Sequence, residues 1–453
     1  MDPAAEATFF VATDGNDTWS GRLAEPNAQG TDGPFATLER ARDAVRALKT
    51  EGSLTEPVTV LVRGGKYYLD KTLVFTEEDN GTRECPITYS AYPGERPVLS
   101  GGRRLTDWQP HEGEILKCAL PEARSGRWKF RQLFFNGERQ RRARWPNFDP
   151  DNPLYGGWAF AEGPAEPGST WAFRFRPETF PRRWKKPWQG EVYIVVGKYG
   201  SYTLGVDRID WDERVIAVTH EPRQFNYYPH FREIPFFRND RFYVENLLEE
   251  LDQPGEWCLD TDEGMVYFWP PAEFDETSEV VAPALHTLVS LRWVSWVTLS
   301  GFVLTETRTG DNLQRDGYEG YGSQRPMPRK DYCGEAVHLR GAEHCRVENN
   351  YFDSVGGNAI YAEDYNERCV LRGNTISGAG KNGICLIGSQ YETQRGHTLP
   401  RHPLFNRVED NHIHHCGAFD TYAAGILLGL SQGNTVSHNR IEDMPNHGIS
   451  LGD

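Results

Sequence analysis

The feature that most constrains this chain is a repeat of twenty-odd residues in its C-terminal part. Ala336-Val337, Ala359-Ile360, Gly383-Ile384, Gly425-Ile426 and Gly448-Ile449 recur at steps of 23, 24, 42 and 23 residues. The long step holds an extra segment around Gln390 to Phe405. A second motif falls between them, and in it Asn350, Asn374, Asn411 and Asn439 come into register. A fixed period of this length marks a solenoid. Three short strands and three turns fill such a period, and rungs stack at the ordinary strand spacing of about 4.8 Å. The asparagines are expected to form a ladder that bends each turn, a structural role.

The N-terminal part reads as the start of the same stack. Short strands are expected at Thr8-Phe9-Phe10-Val11, Pro57 to Val62, Leu73-Val74-Phe75 and Pro86 to Ser90. A helix is expected over roughly Thr37 to Lys49, because Leu38, Ala41, Val45 and Leu48 share one face. It would cap the open end of the sheets. Asp14 and Asp17 are read as turn formers rather than calcium ligands.

The texture changes between about Trp108 and Pro271, which hold most of the thirteen tryptophans. Strand signals there are irregular, and Asn136-Gly137 is a hairpin turn. An inserted antiparallel β-sandwich or barrel fits, with most aromatics in its core. The expected organisation is a cap with first rungs over 1–107, an insert over 108–275, and further rungs over 276–453. The chain would stop in mid-rung at Gly452-Asp453 and leave an uncapped end, so a shortened or partial chain is one reading.

The 453 residues carry a formal charge of −16, which argues against non-specific binding to nucleic acid or anionic lipid. No apolar run is long enough to span a membrane. The opening residues Met1 to Glu6 lack the features of a signal peptide, which leaves localisation open. Eight scattered cysteines make no CxxC pair and read as small buried apolar residues.

Strand alternation sorts inside from outside. Val337, Leu339, Ile360, Ala362, Ile384, Leu386, Ile426, Leu428, Ile449 and Leu451 point inward. His338, Arg340, Tyr361 and Glu363 point outward, with Asp364 just past them, as a polar patch. Arg340 and Glu363 could form a cross-rung ion pair. The turns entering these strands add Asp353, Asp420, Tyr422, Asp443 and His447, and the loop from Thr307 to Tyr332 adds Asp311, Asp316 and Glu319. Neighbouring rungs can bring two carboxyls to the separations that glycoside hydrolysis uses, without selecting the pair. His412-Ile413-His414-His415 suggests a metal cluster at first glance but lacks an acidic partner at fixed spacing. There is no phosphate loop, GxSxG motif or Cys-His nucleophile pair.

Phe10 to Asp17 with Gly33 to Leu38 resembles the opening of secreted bacterial β-helix proteins. Leu133 to Gln140 with Ala143 to Asn147, and Phe242 to Asp252 with Pro254 to Trp257, resemble signatures of an inserted domain. Together they resemble the right-handed parallel β-helix proteins, pectate-lyase-like in fold, grouped around glycoside hydrolase families 141 and 120. The resemblance implies a hydrolase on plant-type or other complex polysaccharide, with fucosidase, xylanase or xylosidase activity. It also implies a paired-carboxylate mechanism without a cofactor, and a location that is often secreted or periplasmic. A family acid lies at the end of a rung's first strand, which puts Glu363, Asp364 and Asp453 forward as catalytic residues. His338, Arg340, Tyr361, Asp420, Tyr422, His447 and Asp311 would then bind substrate. Two alternatives stay open: a polysaccharide lyase, in which calcium would be a candidate cofactor, and a non-catalytic carbohydrate-binding protein.

Overall fold

A computed structural model of the chain describes residues 7–50, 52, 54–153, 155–196, 200–219, 235–310, 334–388 and 402–452. Three parallel sheets wind around one core. The first runs from Phe9–Val11 through Val58–Val62, Ile87–Ala91 and Val297–Ser300 to Thr435–Ser437. The second runs from Gly65–Tyr68 through Val303–Thr305 to Arg440–Glu442. The third runs from Leu73–Phe75 through Val289–Arg292, Val337–Glu343, Ile360–Glu367, Ile384–Ile387 and Ala424–Gly429 to His447–Gly452. Each repeat supplies one strand to each sheet, so the chain is a parallel β-helix.

The inward residues form a single buried core along the stack. Val337, Leu339, Ile360, Ala362, Ile384, Leu386, Ile426 and Leu428 lie in it as expected. Ile449 and Leu451 keep the register opposite Ile426 and Leu428 but are 50% and 73% exposed, because the strand they sit on is the outermost of its sheet. The helix Leu38–Thr50 buries Leu38, Ala41, Ala44 and Val45 against the first rungs. Thr37 Oγ accepts from the Arg40 amide, while Asp17 accepts from the Ala36 and Thr37 amides and the Thr37 hydroxyl. Asp17 therefore works as turn and cap chemistry. Of the seven described cysteines, six are buried, and none forms a disulfide.

Asparagine ladders hold the corners. Asn350 Nδ2 donates to Asn374 Oδ1 (3.2 Å), Asn374 to Asn411 (3.1 Å) and Asn411 to Asn439 (2.9 Å). Each of these carboxamide oxygens also accepts the backbone N–H of the preceding ladder residue. The residue before each ladder position, Asn349, Gly373, Asp410 and His438, is left-handed, with φ of 56°, 65°, 55° and 55°. That conformation turns the chain sharply, and asparagine, aspartate and glycine adopt it at least cost. Two further ladders mark the other corners: Asn406 with Asn434, where Asn406 Oδ1 also accepts the Cys369 amide, and Asn358 with Asn382.

The solenoid is interrupted after Pro97–Ser100. Gly102–Arg104 pairs with Val280–Pro283, so the chain leaves and re-enters the stack at one place. A Cβ at Gly102 would lie 2.1 Å from the Val281 side chain, so only glycine fits this junction. These two strands and the segment between them form an eight-stranded sheet and a closed antiparallel barrel. The barrel strands follow the order 241–245, 159–164, 172–175, 215–218, 200–210 and 191–196, and the last pairs back with the first. Its core includes Phe173, Val192, Ile194, Phe242 and Val244.

The buried ladder should carry measurable stability. Asn374→Ala strands the Asn350 amide that Asn374 accepts and removes two donated bonds. An unsatisfied buried group costs about 1–3 kcal/mol. Urea unfolding of this variant should show a loss of at least that size, and an unchanged midpoint would rule out the ladder as a stabilising element.

Candidate functional site

The outward face of the third sheet collects the polar residues expected there. His338 stands opposite Tyr361, and Arg340 opposite Glu363, in neighbouring rungs. His338 is buried, and its Nε2 lies 2.9 Å from Glu363 Oε2. Its Nδ1 lies 3.5 Å from the Ser290 hydroxyl one rung below. The Tyr361 and His338 rings lie 6.4 Å apart.

Arg340 does not pair with Glu363, as alternation had suggested. Its guanidinium instead reaches Asp364 at 3.0 Å. The cause is a bulge. Register shifts between Arg340 and Ala342, so Asp364 and Tyr365 together oppose Gly341. Asp364 adopts a left-handed backbone at φ 56°. A bulge re-aims its side chains, and here it turns the Asp364 carboxylate onto Arg340. Glu363 is left to His338. Two adjacent carboxylates thus have two different partners from the rung below.

The entering turns lie farther along the same edge. Asp420 is buried, and its carboxylate accepts the Tyr422 amide at 2.8 Å. The Tyr422 ring meets His447 edge-on at 5.8 Å. Lys381, in the turn before Ile384–Ile387, has a fully buried side chain that the sequence reading passed over. Asp311 and Asp453 lie outside the described residues, as do Asp316 and Glu319.

The barrel docks beside these turns. The Ser201 hydroxyl accepts the Thr421 amide at 3.0 Å. Tyr193 is buried beside Ser201, Thr421 and Asp420, and burial pushes its phenol up to about 12. Arg139 donates to the Val355 carbonyl at 3.2 Å and lies 5.2 Å over the Phe419 ring. Burial pulls its guanidinium down to about 10. Gln132 donates to the Thr307 carbonyl at 2.9 Å.

Register across the barrel sheet sets a second surface beside the seam. Tyr193 pairs with Tyr243, and their rings stack at 4.9 Å and 9°. Trp158 continues the row at 5.3 Å from Tyr243. The neighbouring row holds Glu191, Glu245 and Arg144. Glu191 holds Arg131 through two bonds of 2.7 and 3.0 Å, and Arg142 bridges Glu191 and Glu245. The sequence showed only a strand at Glu191–Val196. Its alternation of Glu191, Tyr193 and Val195 against Val192, Ile194 and Val196 was the signal that the two sides of the strand differ in chemistry.

His412 and His414 share one side, as expected, with rings 4.5 Å apart. An acidic partner does exist, since His412 Nε2 lies 2.7 Å from Glu442. Among the described residues no group of three or more histidine, cysteine or acidic side chains could hold a metal ion. No described helix is long and apolar enough to cross a membrane.

Residues 335–453 match the family described as the right handed beta helix region. The fold is a right-handed parallel β-helix. A solved structure named "Glycoside hydrolase" superposes with a TM-score of 0.77 at 22% identity, covering 98% of this chain and 79% of that one. Another, "The complex structure of XylC with xylose", gives a TM-score of 0.46 at 14% identity over 96% of this chain and 58% of that one. No curated protein matches the chain. The first likeness extends the shared fold over the insert as well as the rungs.

The Glu191 cluster yields a pH prediction. Burial pushes the Glu191 carboxyl up, but Arg131 and Arg142 outweigh it and hold the group well below the usual carboxylate range. A depressed folded-state value contributes stability above the unfolded carboxylate range, which is lost as pH falls toward the folded value. Glu191→Gln should cost about 3–5 kcal/mol near pH 7, because it strands buried guanidinium charge. Its unfolding midpoint should also change less than the wild type's between pH 6 and pH 3. Parallel acid limbs in the two proteins would show that Glu191 contributes nothing to the pH dependence.

Proposed function

We propose that the chain is a glycoside hydrolase that cleaves O-glycosyl bonds in a plant-type or other complex polysaccharide with a pair of carboxylates. The observation that carries this reading is the arrangement of Glu363 and Asp364 on the outward face of the third sheet. His338 holds Glu363 at 2.9 Å, and Arg340 holds Asp364 at 3.0 Å. The fold likeness to the structure named a glycoside hydrolase supports it.

The two partners suit two roles. A guanidinium stays charged at any working pH and favours the ionised form of the carboxyl beside it. Asp364 is therefore the carboxylate that attacks the anomeric carbon or activates water. Glu363, beside an imidazole and not a guanidinium, is left as the acid that protonates the leaving oxygen. Glycoside hydrolysis needs this division between two carboxyl groups. Tyr361, Asp420, Tyr422 and His447 would line the path of the sugar chain. A lyase needs a base at the sugar C5, and Arg340 is committed to Asp364.

Glu363→Gln and Asp364→Asn, assayed on aryl glycosides and cell-wall polysaccharides, should each lower kcat by about 10²–10⁴-fold, the usual worth of a positioned proton-transfer or nucleophilic group. An aryl glycoside with a good leaving group should restore much of the rate in Glu363→Gln and little in Asp364→Asn. Full activity in either variant would remove that residue from the mechanism.

A further inference from the structure

A cavity of about 470 Å³ opens between the barrel, the eight-stranded sheet and the solenoid. Lys129, Arg131, Arg142, Trp188 and Glu191 line it from the insert, and Arg308 from the solenoid. Lys129, Arg131 and Arg142 outnumber the carboxylates that face them, Glu191 and Glu245. In a chain of formal charge −16, such a concentration of cations is a local exception.

Glu191 occupies Arg131 through Nε and one terminal nitrogen. The second terminal nitrogen, Nη1, makes no hydrogen bond among the described residues, and the side chain keeps 23% of its surface exposed. Arg142, with a side chain only 7% exposed, has an Nε without a hydrogen-bond partner among the described residues. Lys129 is exposed and makes no ion pair among the described residues. Trp188 stands at the rim, 53% exposed, and its indole N–H is tied to Asp262 at 2.9 Å, which fixes the ring. Gly190 and Gly205 leave bare backbone in the cavity wall.

We infer that this cavity binds the carboxylate of a uronic acid unit. Guanidinium groups recognise a planar carboxylate through paired hydrogen bonds. An anchored indole offers an apolar face to a sugar ring, and the volume accommodates one sugar. The inference rests on the saccharide reading above and deepens it: the polymer carries acidic units, and the insert recognises one of them beside the seam with the solenoid.

Titration calorimetry with D-glucuronate and D-galacturonate, with methyl β-D-glucoside as the neutral control, tests it. At least one uronate should bind, more weakly as sodium chloride rises from 50 to 500 mM, and the neutral glycoside should not. Lys129→Glu should weaken uronate binding at least tenfold with no change in Tm. Trp188→Ala should weaken uronate more than inorganic sulfate. Equal binding of the neutral glycoside, or no uronate binding to the folded protein, overturns the inference. Sulfate binding as tight as uronate would assign the cavity to sulfate or phosphate groups and overturn the sugar assignment. Uronate binding without any hydrolysis would sink the hydrolase reading and leave the cavity standing. Hydrolysis that depends on Glu363 and Asp364 without uronate binding would do the reverse.

Discussion

The stacking of one rung on the next, in register, is the constraint on which everything else depends. Each inward side chain meets its equivalent one strand spacing away, and each corner asparagine bonds the next. A parallel ladder alone does not fix register strongly at a turn. The carboxamides do, because each Oδ1 accepts two N–H groups, one from a side chain and one from the backbone. A slip of one residue would break both bonds and turn the core face outward. The regular stack then serves as a rigid rack, and residues at equal positions in successive rungs face each other at a known distance.

The candidate site depends on one departure from that regularity. A perfect rung would set Arg340 against Glu363 and leave Asp364 on the next turn. The bulge opposite Gly341 inserts Asp364 and Tyr365 where one residue would suffice. It converts one cross-rung ion pair into two separate contacts, His338 with Glu363 and Arg340 with Asp364. Gly341 is itself left-handed at φ 67°, and the Trp293 ring lies where its Cβ would be. The bulge therefore sits on two successive rungs below it whose local shape is fixed. Local distortion held between regular neighbours is a common way to set functional geometry.

The repeat made the rungs, the inward column and one asparagine ladder legible in the sequence, because period and alternation follow directly from strand geometry. The two other ladders were missed. Asn406 and Asn434 stand 28 residues apart and Asn358 and Asn382 stand 24 apart, and a single pair sets no period. The patch at His338, Arg340, Tyr361 and Glu363 was readable from alternation, but its pairing was not. A bulge changes neither composition nor hydrophobic pattern, so Glu-Asp at 363 and 364 reads the same with or without it. The insert was visible only as a change of texture. Antiparallel pairing between distant segments, such as Glu191–Val196 with Arg241–Glu245, leaves no period to detect.

The insert's position explains why its outer face is polar. Most barrels shed polar side chains into water, but this one turns one row toward the solenoid. There the Ser201 hydroxyl accepts the Thr421 amide, and from the adjoining eight-stranded sheet Arg139 crosses to Val355 and Gln132 reaches Thr307. These contacts bond backbone groups of the solenoid's own turns, the segments that enter the third sheet. Charges placed in such a seam lose water, so they must be paired in place. Glu191 and Glu245 do this for Arg131 and Arg142. Arg142 Nε still lacks a hydrogen-bond partner among the described residues, and Arg131, Arg142 and Glu191 line a cavity. A seam that served only to glue two units together would be better filled by apolar side chains of similar volume. Its retained cations make physical sense if the cavity has a charged occupant, and Arg308 and Thr309 of the solenoid border that cavity.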